Sequence, residues 1–436
     1  MSAIDTWVAE FKARSAQLPG AGLPWLAARR QRAIERFADE GWPTRRHPRW
    51  QHSSLAFMEQ QEFAAASGAG DAAAALAALR GGEAGHWMVF IGGCFNAGLS
   101  DIGALPAGVL IQSLAEAMVQ RPDQLEAAFG EADDGDSPAA LNTALAADGA
   151  FIHLGRGIAL EAPIHLVFIA GAEERSRHLR NLVIAEAAAE ASIVEHHVGS
   201  GTAASLTTAV TRIQAGADAR IAHLKLQQEN EQTIHLASID SVQARGAHFA
   251  SHSLSFGARL ARNDIRTRFE GEACEALLNG LYHVDGRRHV DHHTCIDHAR
   301  PNGSSREFYR GLLDGSARGV FTGRVVVARD AQRSDAMQRC DNLLLSRQAE
   351  ADARPELEIY ADDVKCSHGA TVGEIDEDSL FYLRSRGLDE IHARRLLTYA
   401  FAADALERIT LLPLRKRARA ALLARLPGGE LLEELL

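Results

Sequence analysis

The segment that decides the fold is GADARIAHLKLQQENEQTIHLASIDSVQARGAHFASHSLSFGARLARNDIRTRF, residues 216–269. Its Gly-Ala phrases (GADARI, GAHFA and GARLA) open or join strand-like runs at Ala219–Gln227, His248–Phe256 and Ala258–Phe269. Similar short units in series are typical of a β-solenoid, whose rungs stack on one another. Few hairpin-forming Asn-Gly pairs separate the runs, which favours a solenoid over a large sandwich.

The same pattern of short strand-like runs separated by turn residues extends on both sides of this segment. Helical periodicity is missing for roughly 200 residues after Ala150, and turn residues recur throughout. The predicted strands are Phe151–Leu154, Ile164–Ile169, Arg180–Ala185, Ser192–His197, Ala219–Gln227, His248–Phe256, Ala258–Phe269, Ala276–His283, His289–Cys295 and Gly319–Ala328. We therefore predict a mainly β chain of three parts: a helical and mixed region at 1–150, a solenoid core at 151–375 and a helical domain at 376–436.

Composition excludes several classes of function. The 436 residues carry a net charge of -11, whereas a general nucleic-acid binder has a basic footprint. The sequence has no apolar run of membrane-spanning length and no signal-like N-terminus, and we expect no membrane association. Five widely spaced cysteines indicate free thiols in a reducing cytoplasm. No Gly-Lys pair occurs, so a P-loop is absent, and any ATP would be bound by another chain.

One candidate for chemistry is ADDVKCSHGATVG, residues 361–373, which follows a strand-like run. In an extended chain, residues two apart share a face, so Cys366 and His368 project side by side. A thiolate beside an imidazole suits a soft metal or nucleophilic chemistry. The alternative is a buried cysteine next to a surface histidine.

A second candidate is the polar stretch at 283–298. Strand alternation places five potential metal ligands on one face: His289, Asp291, His293, Cys295 and Asp297. We treat His289, His293 and Cys295 as candidate metal ligands. The alternative is a ladder of polar side chains stacked between rungs.

The chain after Gly373 is predicted to be helical at Asp376–Arg386 and Ile391–Arg408. These helices carry more apolar residues than a small domain needs for its own core, which indicates a docking surface for another protein. The alternative is a cap on the last rung of the solenoid.

The stretch Pro355–Gly373, followed by FYLRSRG at Phe381–Gly387, resembles the SufB/SufD family of iron–sulfur cluster assembly proteins, and its wording is that of the SufD branch. SSREFYRG at Ser304–Gly311 and NLLLS at Asn342–Ser346 support the resemblance, which extends over essentially the whole chain. It implies a right-handed parallel β-helix flanked by N- and C-terminal helical regions.

The resemblance also implies a function. We expect a non-catalytic cytoplasmic scaffold that joins a SufB-type paralogue and a SufC-type ATPase, supports iron acquisition and builds a nascent cluster. The isolated chain would hold no tightly bound cofactor, whereas the complex would carry a transient iron–sulfur cluster or iron, with reduced flavin as a further candidate.

Site residues follow from the same resemblance. His368, with Cys366 as its neighbour, would take part in cluster assembly at the interface with the paralogue. Cys340 stands where a SufB-type chain has a functional cysteine, and is either an extra ligand or a passive substitution; we favour the passive one. Docking of the ATPase is assigned to Phe381, Tyr382, Leu383, Arg384, Arg386, Tyr399 and Phe401.

Two other classes stay open at this point. One is a stand-alone β-helix metalloenzyme that uses the cluster at His289–His298. The other is a homodimeric structural protein that pairs through the open end of its solenoid.

Overall fold

The computed structural model describes residues 3–61, 72–129, 135–170, 176–199 and 203–426. Two long sheets of ten and nine strands face each other and form a parallel β-solenoid, with helices at both ends of the chain. The predicted mainly β solenoid is thus confirmed. The last ten residues of the predicted C-terminal domain, 427–436, lie outside the described residues.

Strands occupy most of the chain between residues 86 and 373. They are β1 (His86–Ile91), β2 (Cys94–Phe95), β3 (Val109–Ser113), β4 (Ala150–Leu154), β5 (Ile164–Ile169), β6 (Ser176–Ala185), β7 (Glu190–Val198), β8 (Leu206–Ala215), β9 (Arg220–Gln228), β10 (Ile234–Gln243), β11 (His248–Ser255), β12 (Leu260–Phe269), β13 (Glu275–Val284), β14 (His289–His298), β15 (Ser304–Leu313), β16 (Arg318–Val327), β17 (Ser334–Leu344), β18 (Glu350–Ile359) and β19 (Val364–Gly373). The first sheet contains β1, β2 and the odd-numbered strands from β5 onwards, and the second contains β3 and the even-numbered strands from β4 onwards.

Successive turns of the solenoid stack in parallel register. Glu190 pairs with Arg220 and Arg220 with His248, so these two turns take 30 and 28 residues. Equivalent side chains therefore form columns along the solenoid. Ala191, Ile221 and Phe249 occupy one such column, and all three are buried in the central apolar cluster.

Helices cover the outer faces of both sheets. They are α1 (Ala3–Arg14), α2 (Pro24–Glu40), α3 (Ala72–Arg80), α4 (Leu114–Gln120), α5 (Pro122–Phe129), α6 (Ser137–Leu145), α7 (Glu377–Ser385), α8 (Glu390–Glu407) and α9 (Leu412–Leu423). Residues of α1, α2 and α6 pack on the second sheet in a cluster that includes Leu206 and Leu236. Residues of α8 and α9 pack on the first sheet in what we call the C-terminal cluster, which includes Leu224 and Leu254. In the described part of the chain, no helix combines the length and the apolar character needed to cross a membrane.

The solenoid interior is partly polar. Strand alternation places Glu195 and Lys225 on the same face as the central cluster, and both side chains are buried. A charge removed from water is costly unless partners compensate it, so such side chains require hydrogen bonds inside the solenoid. Thr211 and His223 provide them for Glu195, at 2.5 Å and 3.3 Å.

Candidate functional site

The solenoid is open at its C-terminal end. Strands β18 and β19 are the last of their sheets, and each is bonded on one side only, to β16 and β17 respectively, among the described residues. An edge strand presents unpaired backbone groups that can bond to another chain. Tyr360 and Val372 at this end are 62% and 49% exposed, so the end combines polar backbone with apolar side chains.

Cys366 and His368 lie together on β19 at this open end. Cys366 is opposite Ala336 on β17, and His368 is opposite Gln338, so the two residues extend columns of the interior. Cys366 is half-buried against the central cluster, and burial raises the pKa of its thiol. His368 is exposed.

This pair can supply two ligands to an ion at the surface. A neutral imidazole and a thiolate are both donors that iron accepts, whereas an iron–sulfur cluster is usually held by four protein ligands. The raised pKa keeps the Cys366 thiol protonated at neutral pH, so binding must displace its proton. Two ligands do not complete a four-ligand cluster site, so a cluster at this end would need ligands beyond this pair.

The structure does not bring His289, His293 and Cys295 together. All three lie on the outer side of β14 and are partly exposed. At about 3.3 Å per residue along a strand, the first and last of them are roughly 20 Å apart, too far for a shared ion. Ser53 Oγ is 2.7 Å from His289 Nε2, and Asp291 Oδ1 is 3.1 Å from His293 Nε2. These contacts give both imidazoles structural partners.

Cys340 belongs to the interior, on the opposite sheet from that stretch. It is fully buried, and Asn342 Nδ2 lies 3.5 Å from its sulfur. Burial raises the pKa of the thiol to about 12. A thiol in this state is a poor nucleophile and a poor ligand, which is consistent with a passive substitution.

The predicted docking residues fall into two groups. Phe381 and Tyr382 on α7 are 73% and 57% exposed, and Leu383, Arg384 and Arg386 accompany them. Tyr399 and Phe401 on α8 instead pack in or against the C-terminal cluster, with the Arg310 guanidinium 4.6 Å above the Phe401 ring. Of the predicted docking residues, the exposed aromatic ones are thus on α7, and Ile391 at the start of α8 is also exposed, at 61%.

A further group of ligand-type side chains lies inside the solenoid. His197, Glu229 and His235 are all buried, and one nitrogen or carboxylate oxygen from each lies within 4.8 Å of the others. The sequence did not predict this group. The only local signal is EHH at 195–197, because the other two residues come from later segments of the chain.

Comparison with known proteins gives consistent matches along the chain. The family described as SUF system FeS cluster assembly, SufBD core domain, matches residues 168–401, and the SufBD protein N-terminal region matches residues 1–166. The iron–sulfur cluster assembly protein SufD of Escherichia coli is 32% identical over 92% of this chain and 93% of its own length. An iron–sulfur cluster assembly SufBD family protein of Synechocystis is 31% identical over 90% of each chain.

Proposed function

The chain belongs to the SufBD family of iron–sulfur cluster assembly proteins, and from this premise we propose that it is the SufD-type scaffold of a three-component complex. In this proposal it pairs with a SufB-type paralogue and a SufC-type ATPase in the cytoplasm, and it catalyses no reaction by itself. The observation that carries the proposal is the open end of the solenoid, where Cys366 and His368 lie on one face of the last strand.

The paralogue would dock at this open end. The free edges of β18 and β19 can continue both sheets into a second solenoid, and Tyr360 and Val372 would be buried by it. Parallel sheets are stable when both faces and all edges are covered, which favours a partner of the same architecture. The nascent cluster or iron would then lie between the chains, with His368 and Cys366 among its ligands and reduced flavin as a candidate electron donor.

The ATPase would dock on α7 and the start of α8. Phe381, Tyr382 and Ile391 form an exposed apolar surface there, rimmed by Arg384 and Arg386. Large exposed apolar side chains grouped in this way are typical of protein–protein interfaces. The absence of a Gly-Lys pair from the sequence supports ATP binding by the partner.

The test is light scattering after size exclusion, on the chain alone and mixed with the SufC-type ATPase and the SufB-type paralogue from the same cell. We expect one discrete assembly that contains all three chains. Phe381→Glu should remove the ATPase, and Tyr360→Glu combined with Val372→Glu should remove the paralogue. Val119→Glu is the matched control, because Val119 is 78% exposed on α4, outside both surfaces.

Cluster assembly is measured separately on the intact complex. His368→Ala should leave the mass of the assembly unchanged and lower the yield of cluster, read from visible absorption after anaerobic reconstitution. Failure of the chain to bind either partner would refute the proposal. A stable homodimer that excludes the paralogue would instead assign the open end to self-association.

A further inference from the structure

The interior group of His197, Glu229 and His235 is formed by three different segments. His197 is near the end of β7 in the first sheet, Glu229 follows β9 directly, and His235 is near the start of β10 in the second sheet. The turn from one sheet to the other therefore brings them together at one corner of the solenoid. Their side chains are at most 2% exposed.

A neighbouring carboxylate orients the His197 ring. The Nε2 atom of His197 is 3.2 Å from Glu195 Oε2. Glu195 in turn forms hydrogen bonds with Thr211 and His223. The other ring nitrogen, Nδ1, has no hydrogen-bond partner among the described residues. A histidine whose one nitrogen donates to a carboxylate while the other is free has the arrangement typical of a metal ligand.

Glu229 is oriented in the same way. Its Oε1 atom accepts hydrogen bonds from Arg177 at 3.0 Å and Thr207 at 2.6 Å, and its Oε2 atom accepts one from Gln227 at 3.0 Å. Oε2 also approaches His235 Nδ1 to 2.7 Å. The carboxylate is thus fixed with one oxygen directed at the histidine.

One ring nitrogen of His235 has a close partner, and the other has none within the described part of the chain. Nδ1 lies 2.7 Å from Glu229 Oε2, whereas Nε2 is buried without a hydrogen-bond partner. An unsatisfied buried nitrogen is costly, and native interiors rarely keep one.

We propose that His197, Glu229 and His235 bind a divalent transition-metal ion of borderline softness, such as Fe²⁺. Two imidazoles and one carboxylate suit this class, whereas Mg²⁺ and Ca²⁺ prefer oxygen ligands. Ligand atoms about 2.0 to 2.2 Å from one ion are at most about 4.4 Å apart, so the 4.8 Å limit requires only small side-chain rotations. The choice of iron as the metal rests on the proposed function. The assignment of His197, Glu229 and His235 as ligands does not depend on that function.

The competing account is a closed ion-pair network without an ion. Arg177 already contacts Glu229, and the buried Lys225, which bonds to Asn263, adds a second positive charge near Glu195. The positive charges of Arg177 and Lys225 balance the negative charges of Glu195 and Glu229. That network, however, leaves His197 Nδ1 and His235 Nε2 without a partner, so each ring keeps one nitrogen that is available to an ion.

The test loads the full-length, tag-free chain with Co²⁺ as a spectroscopic probe. Cells are grown in cobalt-supplemented medium so that the ion can enter as the chain folds, and the purified protein is analysed by visible absorption and metal mass spectrometry. We expect about one ion per chain and ligand-field bands of low symmetry. A natively folded chain with less than about a tenth of an ion would overturn the proposal.

Variants assign the ion to this group. His197→Gln and His235→Gln should each reduce occupancy at least tenfold, and Glu195→Gln, which weakens the hydrogen bond that orients His197, should weaken affinity about tenfold. His292→Gln is the matched control, because His292 is equally buried and lies between Tyr282 and Tyr309. If a variant does not fold, His197→Cys provides a replacement ligand whose charge-transfer band identifies the site.

The two proposals fail independently. His368→Ala should leave Co²⁺ binding by the isolated chain unchanged, since it lies at the open end, several turns from this corner. Conversely, loss of the interior ion should not prevent the partners from binding. Full Co²⁺ occupancy in the double variant His197→Gln, His235→Gln would place the ion elsewhere and refute the assignment.

Discussion

At the scale of single residues, burial decides which cysteines can react. Cys366 and Cys340 are both interior-facing, yet the first is at the open end and the second is covered on all sides. The sequence alone predicted that Cys366 and His368 share a face, because strand alternation is a local property. It could not predict that Cys340 is covered, since its neighbours Tyr282 and Tyr309 come from other turns.

Thiol labelling checks this difference. In the native chain we expect maleimide to modify the exposed Cys94 first and the half-buried Cys366 next. Cys340 should react at least about 100-fold more slowly, because access requires an opening that costs several kcal/mol. Mass spectrometry of peptides gives the order, and labelling in denaturant is the control. Equal rates for Cys340 and Cys366 would contradict the closed interior.

Glu307 gives the interior a pH dependence. Burial raises its pKa from 4.5 to about 7, and Gln338 Nε2 donates to it at 2.5 Å. Between these two pH values the folded chain keeps a proton that the unfolded chain loses, so stability falls as the pH rises. Glu307→Gln removes this loss. The free energy of unfolding of the variant, measured relative to that of the wild type, should therefore be about 2 kcal/mol higher at pH 8 than at pH 5.5.

Urea unfolding at the two pH values measures this gain. Glu231→Gln is the control, because Glu231 is exposed and its substitution should shift both values by no more than a few tenths of a kcal/mol. A gap between Glu307→Gln and wild type that stays constant from pH 5.5 to pH 8 would show that Glu307 titrates in its usual range.

At the scale of elements, the sequence predicted the solenoid but missed some of its strands. Strands β8, β10, β15 and β17 were not predicted, although each is ten or eleven residues long. In β15 and β17 the interior positions include Glu307 and Gln338, so the usual alternation of apolar and polar residues is absent. Cross-turn hydrogen bonds compensate these side chains, and such partners are visible only after the turns are stacked.

Gly280 in β13 illustrates how closely the turns fit. A β-carbon there would lie 2.1 Å from the Tyr309 ring, which is buried between His292 and Phe321. Gly280→Ala should therefore cost about 1 to 3 kcal/mol of stability, because the ring has no room to move. Chemical denaturation measures the cost. Gly373→Ala at the end of β19 meets no atom within 4 Å and should be nearly neutral. Similar values for both would refute the tight fit.

At the scale of the whole molecule, the C-terminal helices join many turns. The C-terminal cluster includes residues from six consecutive strands of the first sheet: Val194, Leu224, Leu226, Leu254, Leu281, Leu312 and Leu343. Asn279 Nδ2 adds a 2.9 Å hydrogen bond to the Ala405 carbonyl, and Arg310 bonds to Asp404 at 2.9 Å. The sequence indicated either a docking surface or a cap, and the structure shows that α8 and α9 cover the first sheet while α7 stays exposed.

Two leucines of α9 test this role of the helices. Leu422 is fully buried in the cluster, and Leu422→Ala should cost about 2 to 5 kcal/mol and raise hydrogen exchange in β7, β9 and β11 together. Leu412 is 55% exposed on the same helix, so Leu412→Ala should have little effect. Exchange that rises only in α9 would show that the helices are not coupled to the turns.

The position of α8 and α9 across six strands has a mechanical consequence. A force applied to these helices is shared among the six strands that they contact, rather than falling on one strand at a time. Hydrogen bonds loaded in parallel resist far more force than bonds broken in sequence. A force on the helical end would therefore rotate the solenoid as one stiff body. The parts of the solenoid farthest from the axis of rotation would then move the most.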